Sequence, residues 1–249
     1  VIALPADEAV KPVPIRHGDG FAGRFAFRLR SLVDLQLLTC LRFLSPRLAG
    51  MQGRVLDVGC GEMPFRRLLP RVALYTGIDV PAAGAFGMRD HADVASFDGR
   101  HVPFPDASFD HVLCTEVLEH AEDPVGLIAE MRRVLRPGGT IAVTVPFAAR
   151  VHHAPHDYHR FTRFRLEQMF AGFADVRVQE RGDEFAVIAN KLIVVCLRFA
   201  RPGRPAAWPL LLLALPPAAL ALALAHVSLV LGWGSSADPL GYGVAARKE

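Results

Sequence analysis

Two carboxylates, a pair of glycines and a cluster of histidines carry most of the chemical capacity of this sequence. Val55-Leu56-Asp57-Val58-Gly59-Cys60-Gly61 reads as an apolar strand running into an acid and two glycines. Glycines at the carboxyl end of a strand allow a tight turn and let a ligand approach the backbone closely. The dinucleotide fingerprint G-x-G-x-x-G is broken, because Pro64 stands where its third glycine belongs. An acid two residues before the first glycine suits a cationic or hydroxyl-rich ligand better than a pyrophosphate. Tyr75-Thr76-Gly77-Ile78-Asp79 ends a second apolar run on a carboxylate that could accept from both hydroxyls of a ribose.

Further along, His152, His153, His156 and His159 fall within eight residues around Asp157. His156 and His159 are spaced to share a helical face, but no second carboxylate or cysteine spacing supports a metal, and none is expected. Two readings of the segment stay open. In one, a neutral His153 or His156 beside Asp157 is a general base that takes a proton from a hydroxyl. In the other, Asp157, Tyr158 and Arg160 only pin the loop by hydrogen bonds. His120 is a weaker candidate, with a structural role expected.

The elements that position these residues follow from hydrophobic periodicity. Phe25, Leu29, Leu32, Leu35, Leu38 and Leu41 recur at three- and four-residue steps with arginines between, predicting a helix over 21–48. It packs on the main domain or lies on a membrane as a basic amphipathic helix. Strands are expected at Arg54–Val58, Leu74–Asp79, His111–Cys114, Thr140–Val145, Ala174–Glu180 and Gly241–Ala246. Helices are expected to start at Phe65 and to run from Pro124 to Leu135. Short apolar runs alternating with helical stretches predict βαβ units and a parallel sheet covered on both faces.

Three more segments complete a recognisable series: Val102-Pro103-Phe104-Pro105-Asp106-Ala107-Ser108-Phe109-Asp110, then Thr115-Glu116-Val117-Leu118-Glu119-His120, then Leu135-Arg136-Pro137-Gly138-Gly139. With the glycine turn they resemble, over roughly residues 53–180, the class I S-adenosylmethionine-dependent methyltransferases, in particular the type 11-like group. His153, Pro155, Asp157, Tyr158, Arg160 and Thr162 also match a segment seen in many bacterial members. The resemblance implies an α/β fold, a Rossmann-like seven-stranded sheet with helices on both faces, to which the periodicity adds an N-terminal helix and the Leu-rich run a hydrophobic helical insert before the last strand. It implies S-adenosyl-L-methionine as cofactor. Asp57, Gly59 and Gly61 would line its methionine part, Asp79 its ribose, Asp98 and Gly99 its adenine, and Thr115 and Glu116 would close the pocket. Many relatives have a third glycine where Met63 stands. Methyl transfer from a sulfonium needs mainly in-line positioning, so a base is not obligatory. A methyltransferase-like scaffold without catalysis is the alternative function.

The chain has 249 residues, a net charge of +3 and 51% hydrophobic residues. This excludes a disordered chain and argues against nucleic acid as the partner. Cys40, Cys60, Cys114 and Cys196 form no C-x-x-C pair, which points to a reducing compartment. Val1 to Pro14 lacks a signal-peptide pattern, with Pro5, Pro12, Pro14, Gly18 and Gly20 forming a loose leader. The chain opens on Val instead of Met, which reads as a few residues short. The mean hydropathy of +0.27 has a local source. Pro205 to Ala237 is 33 residues without Asp, Glu, Lys or Arg, and ten of the residues from Pro209 to Leu231 are Leu.

Pro216-Pro217 is expected to kink or break that segment, leaving Ala218–Leu231 too short to span a bilayer. The last strand must also return to the sheet, so a re-entrant or interfacial hairpin fits better than a crossing. Lys191, Arg198, Arg201 and Arg204 precede it, and Trp208 and Trp233 bracket it. The domain reading is a leader and amphipathic helix over 1–50, then a methyltransferase domain over 51–249 with the insert at about 186–237. The expected location is cytoplasmic, peripheral on the inner face of a membrane. The acceptor is a small or lipid-linked molecule. A buried hairpin or a homodimer interface is the other use of the Leu-rich segment.

Overall fold

A computed structural model describes residues 13–16, 20–89, 91–201 and 205–249. Pro5, Pro12, Gly18 and Arg204 lie outside the described residues. The strands are β1 (Gly53–Val58), β2 (Val72–Asp79), β3 (Val94–Ser96), β4 (Phe109–Thr115), β5 (Leu135–Pro146), β6 (Ala174–Arg181) and β7 (Gly241–Arg247). They form one seven-stranded sheet in the order β3-β2-β1-β4-β5-β7-β6. The first five strands run parallel, and β7 is antiparallel to both β5 and β6. Reversal of strand order beside β1 makes a crevice at the carboxyl edge, the usual ligand position in such sheets.

Among the described residues the six α-helices are α1 (Gly20–Val33), α2 (Leu35–Leu48), α3 (Pro124–Val134), α4 (Arg163–Met169), α5 (Glu184–Phe199) and α6 (Trp208–Leu231). Side-chain alternation along the strands separates two cores. On one face Leu56, Val112, Ile141 and Val143 pack with Leu127 and Met131 of α3 and Leu166 of α4. On the other, Val55, Leu113 and Ala142 meet Leu37, Phe43, Leu44 and Leu48 of α2. The helix expected over 21–48 is two helices. Asp34 breaks it and caps the second, accepting from the Leu37 N–H at 3.1 Å. The cap turns α2 into the core and leaves α1 with no buried residue.

Other expectations shift. The helix anticipated from Phe65 is a single 3₁₀ turn, Arg66–Leu68. Pro64 and Pro70 bracket it, leaving no room for a longer helix. β3 and α4 escaped the sequence reading because both are short, at three and seven residues. The break expected at Pro216-Pro217 does not occur, and α6 runs unbroken for 24 residues. Both prolines fall in one turn, so only the carbonyls of Leu212 and Leu213 lose their helical donors, while Leu and Ala sustain the rest.

α5 and α6 form a hairpin inserted between β6 and β7. Its base is docked: Ala186, Ala189, Ala225, Leu240 and Leu35 form a third core cluster. The buried Ser228 hydroxyl donates to Asp183 at 2.6 Å, and Arg42 donates to the Leu229 carbonyl at 2.8 Å.

α2 depends on close contact with β7. A Cβ at Gly243 would lie 2.5 Å from two ring carbons of Phe43. Gly243→Ala is expected to destabilise the chain by about 1–3 kcal/mol through overpacking. Urea unfolding would measure this, and an unchanged midpoint would refute the α2–β7 contact.

Candidate active site at the carboxyl edge of the sheet

The crevice is built where β1, β2 and β4 end. After β1, Gly59 turns with a φ of 66° and Gly61 with a φ of 48°. A Cβ on Gly59 would run into Val117. The Gly59 and Cys60 N–H groups donate to the Ile78 carbonyl at 2.8 and 3.1 Å, closing the turn over β2. Met63 has a φ of 52°, a left-handed conformation that favours glycine. A glycine, which the family resemblance leads one to expect there, would take this conformation without strain.

Asp57 is buried, with one oxygen accepting from the Tyr75 hydroxyl and Oδ1 without a hydrogen-bond partner. Burial pushes its carboxyl up to about 7, with the nearby Asp79 adding to the rise and the Tyr75 hydrogen bond opposing it. Asp79 accepts from the Gly61 N–H at 2.8 Å and the Val80 N–H at 2.7 Å. Burial also raises Asp79, and these two backbone bonds oppose it. A cleft of about 140 Å³ opens here, lined by Gly61, Asp79, Val80, Met88 and Ser96 among others. A larger hollow, about 550 Å³, lies at the opposite edge between Gly53, Asp110 and Gly138. That edge lacks the glycine turn and the paired carboxylates, so the smaller cleft is the better site.

These residues fit a cationic, hydroxylated cofactor. An orphaned carboxylate oxygen at Asp57 has a vacancy for a donor, and Asp79 is anchored by two N–H groups with lone pairs to spare. Asp98 behaves differently. It is exposed and accepts from the N–H groups of Arg100 and His101 and from the His101 ring, at 2.7–2.8 Å. Gly99 takes the left-handed turn inside that loop, with a φ of 81°. Thr115 ends β4, and Glu116 follows it with a φ of 53°. Glu116 is held by Arg181, whose Nη2 donates to Oε1 at 2.7 Å.

The histidine segment folds over the same edge, stitched to the turn after β4. The Tyr158 and His159 N–H groups donate to the Glu119 carbonyl at 2.8 and 3.2 Å. Asp157 accepts two bonds from Arg160, at 2.6 and 2.7 Å, and a third from the His152 N–H at 3.0 Å. Burial works to raise its pKa, but these bonds outweigh it and the net shift is downward. The imidazole beside Asp157 is that of His152, 3.3 Å away. His156 is exposed and meets the Tyr158 hydroxyl at 2.9 Å through Nδ1. His153 is half-buried with a φ of 55°, and burial together with His152 and His120 lowers its pKa to about 4.

Comparison with known proteins agrees with this geometry. Residues 56–143 match the family model described as a methyltransferase domain. The chain carries a class I S-adenosylmethionine-dependent methyltransferase domain. Its cofactor is S-adenosyl-L-methionine. The chain is 38% identical over 116 residues to the 27-O-demethylrifamycin SV methyltransferase of Amycolatopsis mediterranei, covering 40% of this chain and 43% of that one. It is 28% identical over 155 residues to the ubiquinone biosynthesis O-methyltransferase of Acinetobacter baylyi, covering 49% and 63%. The chain thus spans about half the length of these curated relatives. In fold it resembles a SAM-dependent methyltransferase from Archaeoglobus fulgidus, with a TM-score of 0.53, 18% identity, and coverage of 90% of this chain and all of that one.

Several residues of this candidate site carry no signal of their own in the sequence. Tyr75 reads as an ordinary strand residue, yet it partners Asp57. Glu119 has no local signal beyond its neighbours, and the histidine cluster that contains His152 does not show that His152 is the ring beside Asp157. Arg181 lies far away in sequence, and nothing around it announces a link to Glu116.

Two outcomes are expected if Asp57 and Asp79 hold the cofactor. Asp79→Asn should weaken S-adenosylmethionine binding about tenfold or more by calorimetry, because hydrogen bonds to a charged acceptor are worth roughly 1.5–3 kcal/mol. Undiminished affinity would remove Asp79 from the ribose site. Asp57 has a raised folded pKa, so the native state holds more protons than the unfolded chain from about pH 4 to 7, and stability should fall as pH rises through that window. Cofactor binding favours the carboxylate, so affinity should climb with pH around 7. Asp57→Asn should flatten both slopes.

Proposed function

We propose that this chain transfers the methyl group of S-adenosylmethionine to a hydroxyl of a small-molecule, sugar or lipid-linked acceptor at a membrane surface. The observation that carries the membrane part is α6. It is 24 residues long with a mean hydropathy of 2.2, and only 11% of its most apolar window is buried. At about 1.5 Å per residue it is some 36 Å long. Both ends of the α5–α6 hairpin return to one folded body, because it joins β6 to β7 within the sheet. A simple crossing is therefore disfavoured, and an interfacial or re-entrant hairpin fits. Leu212 and Leu213 are 69% and 75% exposed near the hairpin's tip, far from its docked base. Arg198 stands exposed beside that tip, where anionic headgroups would meet it. The exposed Phe21, Phe25 and Leu29 of α1 add apolar surface.

A hydroxyl acceptor is supported by the similarity to an O-methyltransferase of ubiquinone biosynthesis and to a methyltransferase of 27-O-demethylrifamycin SV. The bound cofactor supplies an electrophilic methyl on a sulfonium. The chain's own residues orient the partners and receive the hydroxyl proton. Asp157 and Arg160 set the loop, and His156, exposed on it, accepts the proton. His153 shapes the wall behind it.

Flotation with anionic vesicles should carry the wild-type chain upward. Leu212→Glu with Leu213→Glu should abolish this while leaving cofactor affinity unchanged, since neither side chain is buried. A double variant that still floats would refute the hairpin as the contact. With radiolabelled cofactor and a membrane lipid extract, His156→Ala should lower kcat about a hundredfold, within the usual range for losing a general base. A change in KM alone would remove His156 from proton transfer.

A further inference from the structure

Beside the crevice, three imidazoles converge on a carboxylate that has no hydrogen-bond partner. One ligand atom from each of His120, His152 and His153 lies within 4.8 Å of the others. The ring centroids are 4.7 Å apart for His120 and His152, 5.3 Å for His120 and His153, and 5.2 Å for His152 and His153. Glu119 is fully buried, and both its carboxylate oxygens lack a hydrogen bond. Its Oε1 faces His120 Nε2 at 3.6 Å and His152 Nε2 at 3.9 Å.

The tautomers follow from the surroundings. His120 Nδ1 meets the His156 carbonyl at 2.6 Å, and His152 Nδ1 meets the Arg150 carbonyl at 3.1 Å. A carbonyl only accepts, so each Nδ1 carries the hydrogen and each neutral ring turns the lone pair of Nε2 inward. Two nitrogen lone pairs then confront a buried carboxylate at separations too long for hydrogen bonds. A metal cation between them would satisfy all of these acceptors at once. Tetrahedral coordination with metal–nitrogen bonds of about 2.0–2.1 Å puts neighbouring donors roughly 3.4 Å apart. The carbonyl behind each ring is the usual outer partner of a metal-bound histidine. His153 adopts its left-handed φ of 55° at this place.

We propose that His120, His152, His153 and Glu119 bind one divalent transition-metal ion of the Zn²⁺ class. Three imidazoles favour such an ion over Mg²⁺, which prefers an all-oxygen shell. The ion ties the histidine loop to the turn after β4 and brings a Lewis-acidic centre to the edge where an acceptor would dock. The expectation of no metal rests on the spacing of His156 and His159, and these are not the histidines that converge. The fold separates their roles: His159 Nε2 meets the Ala121 carbonyl at 3.1 Å, and His156 stands on the exposed side. This site does not depend on what the acceptor is.

The test uses the full chain without a histidine tag. Titration with Zn²⁺ should give one ion per chain, with Mg²⁺ giving none, and Co²⁺ should produce the visible absorption of a four-coordinate nitrogen and oxygen site. His152→Gln and Glu119→Gln should each weaken Zn²⁺ binding at least tenfold, with cofactor binding serving as the check on folding. His156→Ala should leave the stoichiometry unchanged, which separates this site from the proposed base. No stoichiometric binding by the wild-type chain, or folded variants that bind as tightly, would overturn the proposal. The Co²⁺ spectrum of the wild type decides it even if a variant fails to fold.

Discussion

A guanidinium removed from water must have every donor satisfied, and Arg181 meets that demand by gathering four elements around it. It is 2% exposed. Nε donates to the Tyr242 carbonyl of β7 at 3.1 Å, and Nη2 to the Val145 carbonyl of β5 at 2.9 Å and to Glu116 at 2.7 Å. Nη1 reaches Cys40 of α2 at 2.6 Å. An unpaired buried charge would cost several kcal/mol, so β5, β6, β7, α2 and the turn after β4 are constrained together. Glu116 holds its left-handed backbone at the crevice within that arrangement. The position of the turn 116–120, and of the histidine loop bonded to it, follows from a residue at the far side of the sheet.

The crevice concentrates charge that water would otherwise disperse. Asp57, Asp79 and Glu119 are all raised by burial, and the imidazoles of His120 and His153 are lowered by it. The acids are thus pressed towards their neutral forms and so are the bases. A bound cation reverses the balance for the carboxylates, because it offsets their desolvation. Such a site is costly when empty and is stabilised by its ligands.

The α5–α6 hairpin obeys another logic. Its base is a normal core contact of small residues, with Ala186, Ala189 and Ala225 letting the helices approach closely. Its outer half exposes leucines that gain nothing from water. The apolar surface continues onto α1, which Asp34 separates from α2. One capping carboxylate therefore divides a single run of leucines into a buried helix and an exposed one. His226 meets the Leu32 carbonyl at 2.7 Å, fastening α6 to the end of α1.

Much of the architecture was legible in the residues. Alternation and turn chemistry located β1, β2, β4, β5, β6 and β7, and the resemblance implied one seven-stranded sheet, because βαβ units leave few topologies. The glycine turn and the carboxylates at the ends of β1 and β2 were readable because each lies within a few residues of its strand end. Local rules failed at the prolines of α6, where continuity depends on the whole helix, and at Asp34, where a cap outweighed periodicity. The composition and the local order of residues determined the fold class, the cofactor and the Leu-rich insert. Only tertiary structure decided that Tyr75 meets Asp57, that Arg181 holds Glu116, and that His120, His152 and His153 surround Glu119. Those contacts join segments up to 65 residues apart, as Arg181 to Glu116 does, and no local pattern encodes a distance that only the packed sheet creates.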